Sequence, residues 1–542
     1  MNDSVLQILE TAKSLQQKNQ LQKAELLYRK VLAQDPENAE ALHFLGVIAF
    51  QTGHLQQAVQ LIEASVKQDS SVPRAHFNLG YVYEASGEKE KALASYFRAA
   101  ELNPENEKTL RHLERTGPRD AVFFYHLANS YYRIENFESA VECYRKAIEI
   151  DEGYVAAYIN LGAAYEKQGN RGWLAEECYT NALRLRPDSA AATYNLACLL
   201  EKWGQIDKAL NLYRKVVELR PEHAEARYSI SNIELLKGDL KSGFKNYDWR
   251  MQMSEWQQKY PLFIFQKPMW QGEPFKGKTL LVHDEQGFGD AVMFIRYLPL
   301  IKELGGQTVL VTRKPLMNLV KNIPGIDRIV ERSFDPGQLP AFDLYVFLLS
   351  LPGIFQTTFN TIPCQMPYLS ADRAVQQKWE TVIAQKEERK KYRIGLVWAG
   401  QPKHLNDRNR SIPLRMFLPL LHRPECVFVG LQKGERAEEA EDLPEEVQFI
   451  NPGESFQDFS DTAAVIACLD LVLTVDTSVA HLAGAMGVKV WTLLPFNNDW
   501  RWLESGNTSP WYPTMTLFRQ KGPDRWEEVI NRVAEELSTR LS

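Results

Sequence analysis

The front half of the chain repeats itself every 34 residues, and this constrains the fold more than any other feature. The small residue Ala24 returns as Ala58 and Ala92, then as Ala140, Ala175, Ala209 and Gly243. Four residues after each stands a large apolar one: Tyr28, Ile62, Tyr96, Tyr144, Tyr179, Tyr213 and Tyr247. Positions i and i+4 share a helix face, so the small residue admits a neighbouring helix and the large one fills the groove beside it. A second marker keeps step: Gly46 and Gly80 are 34 apart inside ALHFLGVIAF and AHFNLGYVYE, and the segment returns as VFFYHLANSYY, AAYINLGAAYE and AATYNLACLLE. Pro36, Pro104, Pro187 and Pro221 each lie just past a helical pattern, where a missing N–H does no harm. Each unit therefore reads as helix, short turn, helix, and residues 1–250 hold seven of them, the first and last degenerate. The register is not uniform: Ala92 to Ala140 is 48 residues, so residues 103–120 hold an insertion or a damaged unit, and Ala140 to Ala175 is 35, one residue over period.

This unit resembles the tetratricopeptide repeat, which implies a superhelix with a concave face. Such a face suits a peptide or an acceptor protein; the competing reading is a spacer or an arm that joins copies of the chain into a homo-oligomer. A net charge of -6 speaks against a nucleic-acid binder held by bulk charge. The six cysteines (143, 178, 198, 364, 426 and 468) have no tight CxxC spacing and read as reduced thiols, with neither a zinc cluster nor a disulfide framework. No leader pattern opens the sequence, and no run of about 18 apolar residues suggests a membrane span. The expected location is the cytoplasm.

After Trp249 the helical period stops. Residues 251–276, rich in Pro and aromatics, read as a packed connector. Short apolar runs then alternate with helical patterns, the mark of parallel sheets covered by helices. The expected strands are 279–283, 308–312, 328–331, 344–349, 392–399, 426–431, 447–450, 471–475 and 490–494, with helices at 290–304, 316–322, 461–469, 478–486 and 526–537. Ser460 or Asp461 would cap the third of these helices. Two Rossmann-like lobes follow, at 277–370 and 392–542, joined by a polar interlobe segment at 371–391 that contains KEERKK. Ligands of such sheets sit at the carboxyl ends of strands.

Five stretches at or near such ends carry candidate chemistry. In HDEQGFGDAVMFIRYL (283–298) two glycines turn a strand into a helix. Gly287 and Gly289 let a ligand approach the backbone, but no third glycine completes a dinucleotide fingerprint. Asp290 is either a helix cap or a catalytic carboxylate, with His283 and Glu285 as alternative bases. In VDTSVAHLAGAMG (475–487) a buried strand ends at Asp476, and Thr477 and Ser478 open a helix whose first N–H groups can cradle phosphate. His481 follows as a ligand contact or a packed core residue; nothing at the right spacing makes it a metal ligand, and no bound metal is expected. In GLVWAGQPKHLNDRNRSIPL (395–414) a basic loop offers Lys403, His404, Arg408 and Arg410 to a diphosphate. GLQKGERAEE (430–439) adds Gln432, Lys433, Glu435 and Glu438, which could meet a nucleoside, and Trp500, Arg501 and Trp502 could frame the cleft.

GDAVMFIRYLPLIKE, IPGIDRIV (323–330) and VDTSVAHLAGAMG together resemble the heptosyltransferase-like glycosyltransferases of the GT-B class. The fold class this implies is multidomain: an all-α tetratricopeptide superhelix followed by an α/β GT-B fold. The resemblance implies inverting transfer of a sugar from a nucleotide diphosphate donor used as co-substrate, with no resident cofactor and no metal. Asp290 matches the family's catalytic aspartate. Asp476 and Thr477 match its phosphate-binding turn, with Ser478 in place of the usual glycine, and His481 matches its helix histidine. Lys403, Arg408 and Arg410 are candidates for the basic phosphate residue by position only. Glu435 or Glu438 corresponds to the ribose-binding glutamate. The motifs do not make it a lipopolysaccharide heptosyltransferase. The alternative is a repeat scaffold carrying a silent transferase fold.

Overall fold

The computed structural model describes residues 3–542 except 170, 262–265, 387–390 and 405. The chain forms two compact units, up to Leu199 and from Leu200 onward.

The first unit is a stack of helix pairs: α1 (Asp3–Gln17) with α2 (Leu21–Gln34), α3 (Ala39–Gln51) with α4 (Leu55–Gln68), and α5 (Pro73–Ala85) with α6 (Lys89–Leu102). The lone helix α7 (Glu107–Thr116) follows, and it accounts for the broken spacing. Then come α8 (Ala121–Arg133) with α9 (Phe137–Ile150), and α10 (Val155–Lys167) with α11 (Gly172–Leu185). The two sequence markers prove to be one contact. A Cβ on Gly46 would lie 2.5 Å from Ile62 Cγ1, one on Gly80 2.8 Å from the Tyr96 ring, and one on Gly162 2.6 Å from the Tyr179 ring. In these three pairs glycine on the first helix is thus what lets the large residue on the second lie against it. The large rings are fully buried, yet their hydroxyls stay satisfied, Tyr96 on Glu84 (2.6 Å) and Tyr179 on Glu166 (2.7 Å).

α12 (Ala190–Lys202), α13 (Ile206–Leu219), α14 (Ala224–Leu236) and α15 (Leu240–Tyr247) complete the seven pairs. The last of these helices share a core with the sheet region: Leu235, Leu240, Phe244 and Tyr247 lie in one buried cluster with Phe294, Trp500 and Trp511. Between the repeats and the sheets, Trp256, Tyr260, Trp270 and Phe275 are at most 7% exposed. Part of the expected connector, 262–265, and most of the KEERKK run, 387–390, lie outside the described residues.

Two parallel sheets follow. β1 (Thr279–His283), β2 (Gln307–Thr312), β3 (Arg328–Glu331) and β4 (Leu344–Phe347) lie in the order β3-β2-β1-β4. β5 (Tyr392–Val397), β6 (Cys426–Gly430), β7 (Phe449–Ile450), β8 (Leu471–Val475), β9 (Val490–Leu494) and β10 (Met515–Arg519) lie in the order β10-β9-β8-β5-β6-β7. Strand order reverses direction between β1 and β4 in one sheet and between β5 and β8 in the other. These are the switch points where open parallel sheets bind ligands.

Three expectations need correction. β10 lies outside the strands expected from the sequence. The helix expected at 290–304 is broken: Phe288–Phe294, a 3₁₀ turn Ile295–Tyr297, then Leu298–Glu303. Pro299 forces this, having no N–H to donate and crowding the preceding turn. The helix expected at 461–469 is Phe459–Ile466, capped by Asp458, which accepts the Ser460 N–H at 2.8 Å. The interlobe helix Arg373–Lys386 is anchored by Trp379, whose indole N–H donates to Asp461 at 2.9 Å. Among the described residues no helix is long and apolar enough to cross a membrane.

Candidate functional site

The two glycine-and-hydroxyl motifs meet at the switch points. A Cβ on Gly289 would lie 2.7 Å from the His481 ring and 3.4 Å from Ser478 Cα. The helices Phe288–Phe294 and Ser478–Ala485 approach so closely there that only glycine fits. Asp290 sits in the third position of its helix rather than at the cap: one oxygen accepts the Gly287 N–H at 2.6 Å, the other is paired with Arg501. Arg501, on the turn Trp500–Trp502 after β9, also pairs with Asp499 at 2.7 Å and lies over the Trp500 ring at 4.3 Å. It is 6% exposed, and its Nε has no hydrogen-bond partner among the described residues.

The alternative bases are used elsewhere. Glu285 is fully buried and takes two hydrogen bonds from Arg250, at 3.0 and 2.5 Å, and a third from Trp256 at 3.1 Å. His283 is equally buried beneath the strand end, and desolvation pushes its imidazole down to about 4, against the opposing pull of Asp284. Asp284, which drew no attention as sequence, is held by Arg313 at 3.0 Å and Arg332 at 3.2 Å. This buried framework fixes the turn that carries Gln286 in the left-handed region (φ +56°), where its N–H donates to Tyr260 Oη at 2.6 Å.

At β8, Thr477 is the helix cap and accepts the Val479 N–H at 3.3 Å. Burial pushes the Asp476 carboxyl up to about 6; Asp499 adds to the rise and Arg410 opposes it. Arg410 donates to the Asp476 backbone oxygen at 3.0 Å, crossing the end of β5 at Gly400, where a Cβ would lie 2.5 Å from its guanidinium. Of the three basic candidates Arg410 alone is brought to the switch point. Lys403 and Arg408 are exposed on the loop. His481 is an internal residue: 5% exposed, stacked on Trp502 at 5.0 Å and hydrogen-bonded to Tyr512 at 3.0 Å. Burial holds its imidazole well below the usual range, with Arg501 and Arg296 adding to the effect, so it is neutral at pH 7. Gln432 is also buried and staples the end of β6 to that of β5, accepting the Ala399 N–H at 3.0 Å. Glu435 and Glu438 are exposed on the turn Glu435–Asp442.

A cavity of about 220 Å³ opens beside Asp290's partner Arg501. Its walls include Glu201, Tyr228, Asn232 and Tyr247 from the last repeats, Gln286 from the β1 turn, and residues 498–501. Sequence reading missed the repeat-derived part, because those positions look like ordinary helix-face residues. A larger cavity, of about 290 Å³, lies between the segments around Asn318, Tyr368 and Ser460 and touches none of the residues above.

Comparison with known proteins bears chiefly on the front half. Tetratricopeptide repeat family models match residues 15–76, 73–106 and 178–211, and a TPR repeat model matches 128–169. The front half is therefore a tetratricopeptide repeat array. Among curated proteins the chain is similar to Protein FlbA of Caulobacter vibrioides, 27% identical over 58% of this chain and 55% of that protein. It is also similar to the probable UDP-N-acetylglucosamine--peptide N-acetylglucosaminyltransferase SPINDLY of Hordeum vulgare, 28% identical over 29% of this chain and 16% of that protein. The chain thus spans about half the length of the first relative and far less of the second. Among solved structures it is similar to MamA (21% identity, 33% of this chain, 97% of that chain, TM-score 0.21) and to YrrB, a TPR protein with an unusual peptide-binding site (20% identity, 37% of this chain, 96% of that chain, TM-score 0.22).

Proposed function

We propose that the sheet region is a GT-B glycosyltransferase of the heptosyltransferase-like kind, acting in the cytoplasm by inverting single displacement on an acceptor protein presented by the repeats. The observation that carries this reading is the meeting of the Gly287–Asp290 turn with the Thr477–His481 helix start, beside Arg410 at the β5–β8 switch point. The similarity to FlbA covers a stretch longer than the repeat half, and SPINDLY is named as a probable transferase of N-acetylglucosamine to peptide.

On this reading the donor diphosphate lies against the N–H groups at Thr477–Ser478 and the Arg410 guanidinium, which balance its negative charge. The acceptor hydroxyl attacks the anomeric carbon from the face opposite the diphosphate. The new C–O bond forms as the C–O bond to phosphate breaks, the hydroxyl proton passes to Asp290, and the nucleoside diphosphate leaves with the bonding pair. Base catalysis of this kind supplies roughly 10²–10⁴-fold, and fixed donors at the leaving group supply more. Arg501 pairs with Asp290 and orients it, while each carboxylate oxygen retains a lone pair for the incoming proton. Neutral His481 holds the helix against Gly289 instead of contacting phosphate.

The test is calorimetric titration with UDP, GDP, ADP and CDP and their sugar conjugates, in EDTA and in magnesium. One nucleoside diphosphate should bind equally well in both; an absolute magnesium requirement would contradict the role given to Arg410 and the helix start. A second reading has one observation in its favour: both Asp290 oxygens are already engaged. A donor that binds and is never turned over would decide for a silent fold.

A further inference from the structure

The Asp290–Arg501 pair joins the two sheet regions, since Asp290 follows β1 of the first sheet and Arg501 follows β9 of the second. Neither turn is held by its own sheet alone. Both are seated on the end of the repeat array.

On the Asp290 side the contact comes from the chain directly after α15. Arg250 is 1% exposed, and its planar fork grips Glu285 through two nitrogens. The fork is itself fixed by the Tyr247 backbone oxygen at 3.2 Å, by Asp248 at 2.5 Å and by Ser350 Oγ at 3.0 Å. Trp256 adds the third bond to Glu285, and Tyr260 accepts the Gln286 N–H. Arg313, at the end of β2, supplies the remaining bonds, to the backbone oxygens of Gln286 and Gly287. Glu285 and Gln286 immediately precede Gly287, whose N–H holds the Asp290 carboxylate. Gln286 stands at φ +56°, a conformation that persists only where its surroundings impose it. A buried ion pair adds little net stability over apolar side chains of equal volume, because desolvation offsets the attraction. A bidentate Arg–carboxylate pair does add a fixed geometry. The geometry fixed here is that of the turn in front of Asp290.

On the Arg501 side the repeat helices themselves make the contact. The Leu236 oxygen, at the end of α14, accepts the Glu504 N–H at 2.9 Å, and Lys237 pairs with Glu504 at 3.7 Å. Phe244 and Tyr247 of α15 stand edge-to-face with the Trp500 ring, at 5.6 and 6.0 Å. Tyr247 thus serves both sides: its backbone oxygen takes Arg250 and its ring meets Trp500.

We infer that the end of the repeat array is the positioning element of the Asp290–Arg501 pair, and that Arg250 and Tyr260 are positioning residues for Asp290. The repeats then set the geometry of the site besides presenting an acceptor. The expected effect on rate rests on the transferase reading; the effect on the turn does not.

The test uses the full chain and counts competent sites by calorimetric titration with the nucleotide sugar that binds, so that loss of folded protein is not read as loss of rate. Arg250→Lys keeps the charge and loses the fork. Arg250→Met combined with Glu285→Gln removes both charges together, and the glutamine still accepts the Trp256 N–H. Tyr260→Phe keeps the ring and deletes only the acceptor of the Gln286 N–H, so it decides the matter if the other two do not fold. Each folded variant should lose at least about tenfold in kcat per site while its donor KM stays within about threefold, because the donor lies at the other motif. Amide exchange followed by mass spectrometry should speed up at 284–290 and stay unchanged at 471–481. If the parent binds no nucleotide sugar, or binds one and never turns it over, the transferase reading falls and amide exchange alone decides the inference. Folded variants that keep kcat within about threefold of the parent, or that leave exchange at 284–290 unaltered, overturn it.

Discussion

Asp290 and Arg501 are 211 residues apart in the chain and form one ion pair, which is why neither role was complete in the sequence. The motif GFGD marked Asp290 as a carboxylate at a helix start, and the structure keeps it there. Its partner was visible only as one basic residue in an aromatic run. His283 and Glu285 looked equally good as bases because burial cannot be read from a short apolar strand followed by polar residues. His481 shows the same limit in reverse: its place after a hydroxyl-rich helix start suggested a ligand contact, while the structure stacks it inside on Trp502. Asp476 gives a test at this scale. Its carboxyl titrates at about 6 in the folded chain, above the ~3.9 of an unfolded aspartate. The folded state therefore holds the proton more tightly. The cost of ionisation is absent below about pH 4, grows as pH rises, and is fully present above the folded value. Asp476→Asn should raise unfolding free energy by about 1–3 kcal/mol near pH 7.5, with the gain shrinking toward pH 4. Denaturant melts across this range check it; a variant less stable than the parent at neutral pH would contradict the assigned burial cost.

The repeats were the most legible elements, because each unit makes the same short-range contact again. Ala or Gly against a ring, four residues on or in the paired helix, prints itself on the sequence at every turn of the stack. The break in spacing was legible too, though whether it held one helix or a damaged pair was settled only by α7. Strands carried a weaker signal. β10 (MTLFR) is short and follows the proline-containing SPWYP run, so periodicity could not separate it from loop. The turn between the helices of one pair offers a test. Glu135 stands there at φ +60°, where other units place a glycine such as Gly87 at φ +80°. A left-handed conformation costs a side-chain-bearing residue roughly 1–2 kcal/mol, of which glycine's greater chain entropy returns part. Glu135→Gly should therefore stabilise the first unit by about 0.5–1 kcal/mol, seen as a higher midpoint in thermal unfolding. A lower midpoint would mean that Glu135 makes a compensating interaction.

At the scale of the whole molecule the change of period at Trp249 marks where repeats give way to sheets, but the compact units divide after Leu199. The difference has a physical cause: the last helices bury Leu235, Leu240, Phe244 and Tyr247 in the same core as Trp500 and Trp511, so they belong to the sheet region by packing and to the repeats by sequence. A cut near residue 240 would open that core and remove Glu201, Tyr228 and Asn232 from the cavity wall. Whether the meeting of the two sheet motifs is a working transferase site with Asp290 as base is therefore best tested in the intact chain. The measurement is turnover of the nucleotide sugar that binds, followed as release of nucleoside diphosphate with acceptor or water, in the parent and in Asp290→Asn. The parent should turn over, and the variant should bind the donor within a few-fold while losing at least about 10² in rate. Near-normal turnover in Asp290→Asn, or a parent that binds the donor and never releases its diphosphate, would contradict the account.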